Sequence, residues 1–244
     1  MKMIRCILFN ICFYGVSALM CVVFLPALLM PRRIVFLCAQ AWAYASLFFA
    51  HWVGGMKMEV RGRENRLPAP AIFACKHQSA WETLALTILL QKPLFVLKKE
   101  LLFMPLFGLF LWRVGSVPIN RSAGASAIKE LVRETRKRLE EGHSIIIFPE
   151  GTRTSADNND PEYMSGVSAL YSQLDVPIVP VALNSGVCWG RKAFFKRPGT
   201  ITIEFLPALP AGMHKKAFLP ALKQRIETRS QALRNEEREK EKQY

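Results

Sequence analysis

Two long stretches without a charged residue constrain this chain more than any other feature of its sequence. They cover residues 6–30 and 34–56, and only Pro31–Arg33 separates them. At about 1.5 Å per helical residue, each stretch is long enough to cross the hydrocarbon core of a bilayer. The sequence therefore predicts a hydrophobic two-helix hairpin over residues 1–56 that anchors the protein to a membrane.

Two arrangements of this hairpin are compatible with the sequence. Basic residues flank it at both outer ends, with Lys2 and Arg5 before it and Lys57 after it, which in a spanning hairpin would mark both ends as cytoplasmic. The arginines at the tip would then have to cross the bilayer, a cost that a hairpin entering only one leaflet avoids. We expect no cleaved signal peptide, because the first apolar run is too long and no small-residue cleavage site follows it.

The composition is that of a membrane-associated protein. Apolar residues make up 51% of the 244 residues, while the formal net charge is +14. A chain with this apolar content is not expected to be disordered. Its positive charge suits the anionic head groups of a bilayer. We expect no nucleic-acid partner, because the Lys and Arg residues are scattered and form no recognised motif. The six cysteines show no metal-ligand spacing, so neither a metal site nor a disulfide framework is expected.

Beyond the hairpin, strands alternate with helices, which predicts an α/β fold with a mixed sheet flanked by helices. We predict this domain over residues 57–215, followed by a charged C-terminal helix over 216–244 whose end we expect to be solvated. The predicted strands cover 56–62, 71–76, 94–100, 116–121, 144–154, 176–184 and 200–207, and the clearest helices cover 80–90 and 122–142.

Polar clusters lie where predicted strands end. They are His77 with Glu82, Asn120 with Arg121, and residues 150–153. Each has an ordinary alternative explanation, because a lone histidine beside an apolar segment is commonly a core residue and the other two clusters could be plain turns. Loops at strand ends are also where α/β proteins place functional groups.

Taken in order, the clusters belong to four motifs. They read HQSAWE from His77, GSVPINR from Gly115, FPEGTRT from Phe148 and VPIVPVAL from Val176. Their order and combination, over roughly residues 57–207, resemble the glycerolipid acyltransferase family typified by 1-acyl-sn-glycerol-3-phosphate acyltransferase. The N-terminal hairpin is similar to the membrane anchor of several bacterial members.

This resemblance implies an activity, partners and a location. The enzyme would transfer an acyl chain from a thioester, either acyl-CoA or acyl-carrier protein, to the sn-2 hydroxyl of lysophosphatidic acid. The product would be phosphatidic acid, for phospholipid synthesis, and the donor would be a co-substrate rather than a cofactor. The resemblance also implies a protein among membrane lipids, with its active site facing the cytoplasm, as at a bacterial inner membrane.

The resemblance assigns the chemistry to His77 and Glu82. A glycerol hydroxyl is a poor nucleophile at neutral pH, so acyl transfer needs a base, and a neutral imidazole can accept the proton. We expect His77 to be that base and Glu82 to orient it, as the acid does in a hydrolase triad. Glu82 stands where the family has aspartate, which keeps the charge and adds one methylene. Ser79 and Cys75 lie close enough in sequence to be considered as nucleophiles, but the resemblance gives neither a role.

The acceptor phosphate calls for cationic and backbone donors. The expected substrate-binding residues are Asn120, Arg121, Glu150, Gly151, Thr152 and Arg153. Among them, we expect Glu150 to bind a glycerol hydroxyl or to order the arginines. The family's Lys-Pro-Gly has no counterpart, since Met164 and Ser165 stand there.

Alternatives remain at this point. The apolar run 101–112 could pack in the core, contact the membrane or form a wall of an acyl-chain groove. The acceptor could instead be glycerol 3-phosphate or another lysolipid. A non-catalytic lipid-binding protein is a third possibility, although such a protein has no need of a base.

Overall fold

The computed structural model describes residues 2–191, 193–210 and 212–242, without the side chains of Lys2, Arg121, Lys215 and Glu241. The strands are β1 (Met56–Arg61), β2 (Ile72–Cys75), β3 (Pro93–Lys98), β4 (Val117–Ile119), β5 (Ser144–Ile147), β6 (Ile178–Leu183) and β7 (Gly199–Phe205). The helices are α1 (Lys2–Val23), α2 (Arg32–Trp52), α3 (Trp81–Leu89), α4 (Phe107–Val114), α5 (Ala125–Glu140), α6 (Gly166–Gln173), α7 (Ser185–Cys188) and α8 (Lys215–Lys242).

The strands form one sheet in the order β1-β7-β6-β2-β5-β3-β4. Neighbouring strands run parallel, except that β6 and β7 pair antiparallel. The predicted mixed α/β fold is therefore confirmed. Strand β2 lies between β6 and β5, and all four of its residues are buried. Because β2 and β5 are parallel neighbours, the loops that follow them emerge side by side at one edge of the sheet.

Two hydrophobic cores cover the two faces of the sheet. One joins the hairpin to α3 and the sheet, and it contains Phe9, Ala43, Phe73, Trp81 and Ile203, among others. The other lies under α5, α6 and α8, and it contains Leu131, Val167, Ile178, Phe218 and Leu222, among others. The hairpin and the C-terminal helix thus share hydrophobic cores with the α/β domain.

The tip of the hairpin contacts the α/β domain. Arg113, at the end of α4, donates from Nε to the carbonyl oxygen of Leu28 at 3.0 Å. Arg32, at the start of α2, lies 3.3 Å from the Glu141 carboxylate beyond α5. The hairpin therefore lies along the domain, with its tip held to the same body as its base.

Both hairpin helices also present apolar side chains to the outside. By length and composition alone, residues Met3–Val23 and Arg32–Trp52 could each cross a membrane. Ile4 and Ile11 of α1 are 70% and 63% exposed, and Leu29 in the turn between the helices is 92% exposed. The hairpin thus has an inner face that packs on protein and an outer face without protein cover.

The C-terminal helix packs on the sheet through one of its faces. Phe218, Leu222 and Ile226 of α8 are fully buried, and Leu233 is 1% exposed. These residues recur at helical spacing and pack on one face of the sheet. In the sequence this apolar spacing is hard to see, because charged residues on the other side of the helix dominate the composition.

The helix predicted over residues 122–142 begins three residues later than expected. The backbone N–H and the hydroxyl of Ser122 both donate to Asn120 Oδ1, at 3.3 and 2.7 Å. This contact closes a short 3₁₀ turn over Arg121–Ala123, and α5 begins after it, at Ala125.

Candidate active site

His77 and Glu82 meet at the edge of the sheet where β2 ends. His77 follows β2, Glu82 lies in the first turn of α3, and His77 Nδ1 is 2.9 Å from Glu82 Oε1. The expected contact between the two side chains is therefore present. The longer glutamate side chain reaches the imidazole at normal hydrogen-bond distance.

The buried Glu82 carboxylate is held by hydrogen bonds from four residues. Oε1 accepts from the backbone N–H groups of Gln78 and Ser79, both at 2.7 Å. Oε2 accepts from the hydroxyls of Ser79 at 2.6 Å and Ser185 at 2.8 Å. Together with the His77 contact, these bonds give both carboxylate oxygens more than one donor, so the carboxylate has one fixed orientation.

These bonds also fix the charge of Glu82. Burial by itself would raise the pKa of the Glu82 carboxyl, but the hydrogen bonds from His77 and Ser79 outweigh burial and lower the pKa. The group is therefore an anion that only accepts hydrogen bonds. The neutral imidazole of His77 must carry its proton on Nδ1, which leaves Nε2 as the basic nitrogen.

The ring and the backbone of His77 are held as well. The ring stacks on Phe148, with centroids 3.9 Å apart. The backbone N–H donates to Glu150 Oε2 at 3.0 Å, and the carbonyl oxygen accepts from the Thr154 N–H at 2.8 Å. The loop after β5 thus binds the backbone of His77 through both its N–H and its carbonyl group.

Glu150 has a different place from the one expected. Its carboxylate is 0% exposed and lies 3.0 Å from the Lys76 ammonium, so it is directed into the protein and away from any ligand. Burial raises the pKa of Glu150 to about 7, while Lys76 acts in the opposite direction. The expectation that Glu150 binds a glycerol hydroxyl is corrected, because the carboxylate holds His77 and Lys76 from behind.

A cavity of about 1,000 Å³ opens beside His77. Most of its wall is apolar and comes from three regions: the hairpin, the segment 101–114 and the start of α5. Trp42, Phe107 and Ile128 represent these regions. Of the alternatives for the apolar run 101–112, the structure supports a cavity wall for Leu101, Met104, Phe107, Phe110 and Leu111.

The charged residues that line the cavity are all basic in the described part of the chain. They are Lys98, Arg153 and Arg191, besides the neutral or cationic His77. No carboxylate among the described residues forms an ion pair with Arg153. Gly151 and Thr152 line the cavity beside it, and Gly151 has a positive φ of 66°, a backbone conformation that favours glycine.

The second motif contributes less to the cavity than expected. Asn120 uses its side-chain oxygen for the turn before α5 and does not line the cavity, whereas Ile119 and Gly124 on either side do. The side chain of Arg121 lies outside the described residues. Gly115, the first residue of the motif, has φ 86°, and a Cβ there would meet the Arg32 guanidinium at 1.8 Å.

Neither Ser79 nor Cys75 has the surroundings of a nucleophile. The Ser79 hydroxyl is buried, donates to Glu82 and accepts from the N–H of Trp81 at 3.0 Å, so it begins α3 and orders the carboxylate. Burial raises the pKa of the Cys75 thiol well above its usual range. A neutral buried thiol is unreactive.

Three contributors escaped the sequence analysis. Ser185, which contacts Glu82, is 103 residues away along the chain, so no local pattern indicates it. Phe148 belongs to a motif, but only the structure shows its ring against His77. Arg191 lies outside the four motifs, and it lines the cavity.

The arrangement has a definite chemical capacity. An imidazole with Nδ1 bonded to a carboxylate can take a proton at Nε2 and return it later. The adjoining wall suits a ligand with an apolar chain, and the basic residues suit an anionic group on it. The site can therefore deprotonate a hydroxyl on an amphiphilic anion.

Comparison with known proteins agrees with these features. The family model described as Acyltransferase matches residues 57–184. The 1-acyl-sn-glycerol-3-phosphate acyltransferase of Pseudomonas aeruginosa is 35% identical over 188 residues, which cover 77% of this chain and 73% of that protein. The human 1-acyl-sn-glycerol-3-phosphate acyltransferase beta is 32% identical over 74% of this chain, and the match spans 64% of the human protein.

A solved structure shows the same fold. The crystal structure of the 1-acyl-sn-glycerophosphate (LPA) acyltransferase from Thermotoga maritima superposes with a TM-score of 0.75, covering 96% of this chain and 98% of that one. The sequence identity is 17%, so this likeness concerns the architecture alone. With the family match and the identity to the Pseudomonas protein, the resemblance inferred from the four motifs is confirmed, and the chain belongs to the acyltransferase family.

Proposed function

We propose that this protein transfers an acyl chain from an acyl thioester to the sn-2 hydroxyl of 1-acyl-glycerol-3-phosphate, giving phosphatidic acid. Relatives named for this reaction support the proposal. The observation that carries it is the pair of His77 and Glu82 at the wall of a largely apolar cavity whose charged residues are basic.

The reaction follows from the geometry in two proton transfers. Nε2 of His77 removes the proton of the acceptor hydroxyl as its oxygen attacks the thioester carbonyl carbon. The Glu82 carboxylate stabilises the imidazolium that forms. When the tetrahedral intermediate collapses, the carbon–sulfur bond breaks and the imidazolium returns the proton to the departing thiolate. The acceptor itself is the nucleophile, so no acyl-enzyme forms, in keeping with the buried states of Ser79 and Cys75.

The head group and the acyl chains occupy different parts of the site in this proposal. Arg153 and the neighbouring backbone of Gly151 bind the phosphate, together with Arg121 from the second motif. The apolar wall receives acyl chains, and Lys98 and Arg191 add positive potential at the cavity. The same potential attracts either acidic donor, acyl-CoA or acyl-carrier protein.

The hairpin supports a location of this cavity at a membrane surface. Its tip and base both contact the α/β domain, through Arg32 and Glu141 at the tip and, near the base, through the Cys6 sulfur, which accepts from the Lys196 N–H at 3.2 Å. We therefore propose that the hairpin lies in one leaflet with its outer face in lipid, on the cytoplasmic side. Lysolipid can then pass from the bilayer to His77 between apolar surfaces.

Two alternatives keep the fold and change the role. Glycerol 3-phosphate or another lysolipid could be the acceptor, and a parallel assay of these compounds with one thioester ranks them. A lipid-binding protein without turnover would retain ligand but form no product. The buried, fully bonded Glu82 carboxylate favours catalysis, because a binder gains nothing from this costly arrangement.

Removal of the base should abolish turnover. With labelled lysophosphatidic acid and acyl thioester, His77→Ala should lower the rate of phosphatidic acid formation by about a thousandfold, the usual range for loss of a general base. His51→Ala serves as the control, because His51 is exposed at the end of α2. Equal rates for wild type and His77→Ala would refute the enzyme proposal.

Loss of the cavity arginine should weaken acceptor binding. Arg153→Ala should raise the acceptor KM about tenfold or more and leave the donor KM unchanged, because a charged hydrogen bond to phosphate is lost. Arg153→Lys should raise it less. The same pair of substitutions tests Arg121, and Arg133→Ala on the exposed face of α5 is the control. An unchanged acceptor KM in Arg153→Ala would remove that residue from the phosphate site.

Chemical labelling can decide how the hairpin sits. In a variant whose native cysteines are serine, single cysteines replace Arg33 at the tip or Lys57 after α2, both exposed. Hairpin insertion into one leaflet predicts that an impermeant maleimide labels both positions from the same side of sealed membrane vesicles. Labelling of the two positions from opposite sides would show a spanning hairpin.

A further inference from the structure

Behind the cavity, the Lys76 ammonium is buried between two carboxylates from distant parts of the chain. Lys76 Nζ lies 3.0 Å from Glu150 Oε1 and 2.7 Å from Glu227 Oε2, and its side chain is 1% exposed. The Tyr163 hydroxyl donates to Glu227 Oε1 at 2.8 Å. The cluster thus holds one positive and two negative formal charges, an arrangement that is costly to bury.

This cluster is joined directly to the catalytic histidine. Lys76 precedes His77 in the chain, and Glu150 accepts the His77 N–H through Oε2 while Lys76 contacts its Oε1. Lys76 and Glu150 therefore form a chain of contacts from Glu227, on α8, to the backbone of His77. Glu227 itself contacts neither His77 nor the cavity lining in the described part of the chain.

Building on the proposed acyl transfer, we propose that Glu227 is a positioning residue for the reaction. It shares the Lys76 ammonium with Glu150 and so controls how firmly the Glu150 carboxylate holds the backbone of His77. The C-terminal helix is then part of the catalytic unit, although it lies on the opposite side of the sheet from the hairpin.

The groups around Glu150 determine its charge. Burial raises the pKa of Glu150 to about 7, Lys76 lowers it, and the negative charge of Glu227 raises it. In the described part of the chain, the Cys75 thiol and the Tyr163 phenol also face the cluster, and both are neutral because burial raises the pKa of each. The Arg234 guanidinium lines a small pocket together with Lys76 and Glu227. Near neutral pH, the strength of the hydrogen bond from the His77 N–H to Glu150 therefore depends on the charge at Glu227.

The substitution Glu227→Gln has a signed consequence. It removes the negative charge that raises the pKa of Glu150 but keeps an amide oxygen for Tyr163 and Lys76. Glu150 then stays ionised to lower pH, so the acid side of the pH profile of kcat should move down by about 0.5 pH unit or more. In a Glu150→Gln background, Glu227→Gln should cause no such shift, since the group that transmits the effect is absent.

Stability gives a second readout that needs no activity. The folded pKa of Glu150, about 7, exceeds its ordinary value of 4.5, so only the folded state holds this proton between those values. The stabilisation is full below the lower value and is lost as the pH rises through about 7. In Glu227→Gln this loss of melting temperature should end at lower pH and be smaller, because the folded pKa is lower while the unfolded value is unchanged, and Glu150→Gln should lack the loss.

The experiment compares wild type, Glu227→Gln, Glu150→Gln and the double variant, with kcat and melting temperature measured from pH 5 to 8. Glu236→Gln is the matched control, because Glu236 lies on the same helix and pairs with Arg61 at the surface. We expect the pH profiles of kcat and of melting temperature to shift between wild type and Glu227→Gln. We expect no shift between wild type and Glu236→Gln, and none between Glu150→Gln and the double variant.

Two results would overturn the inference. Superimposed pH profiles for wild type and Glu227→Gln would reduce Glu227 to a packing role, even if the melting temperature fell. A shift that persists in the Glu150→Gln background would show that the effect bypasses Glu150. If wild type formed no phosphatidic acid, the proposed function would fail instead, and the melting-temperature cycle would still decide whether Glu227 controls Glu150.

Discussion

The buried carboxylate of Glu82 is the constraint on which the site depends. A carboxylate with no exposed surface is stable only when every direction around it offers a donor, and here the backbone, two hydroxyls and an imidazole supply them. This requirement explains why α3 begins where it does and why Ser185 lies beside it. The same requirement fixes His77, because its ring is the donor to Glu82 that also lines the cavity.

The sheet and the hairpin divide the work between them. Parallel strands β2 and β5 bring two loops together, and these loops hold His77 by its ring, its N–H and its carbonyl group. The hairpin and α4 add an apolar wall that the sheet edge could not provide, because loops at strand ends are polar. A polar reaction centre and an apolar ligand chamber thus meet at a single histidine.

Local patterns in the sequence were sufficient to predict the seven strands, because strand residues alternate over short stretches. The pairing of His77 with Glu82 was implied by the family resemblance, whose motif places the two residues five positions apart. The role of Glu150 was not predictable in this way. Its partner Lys76 is distant in sequence, and only the burial of both charges shows that the carboxylate points away from the ligand. The packing of α8 was missed for a related reason, since its charged residues dominate the composition while Phe218 and Leu222 fill the core.

The most direct test is the tautomer of His77. With ¹⁵N-labelled imidazoles, wild type at alkaline pH should show the neutral His77 as the Nδ1–H form, with an unprotonated Nε2. His77→Ala identifies the signals of His77 among the four histidines. Glu82→Ala should lose this preference. A neutral His77 that carries its proton on Nε2 would leave no base facing the cavity and would contradict the arrangement described here.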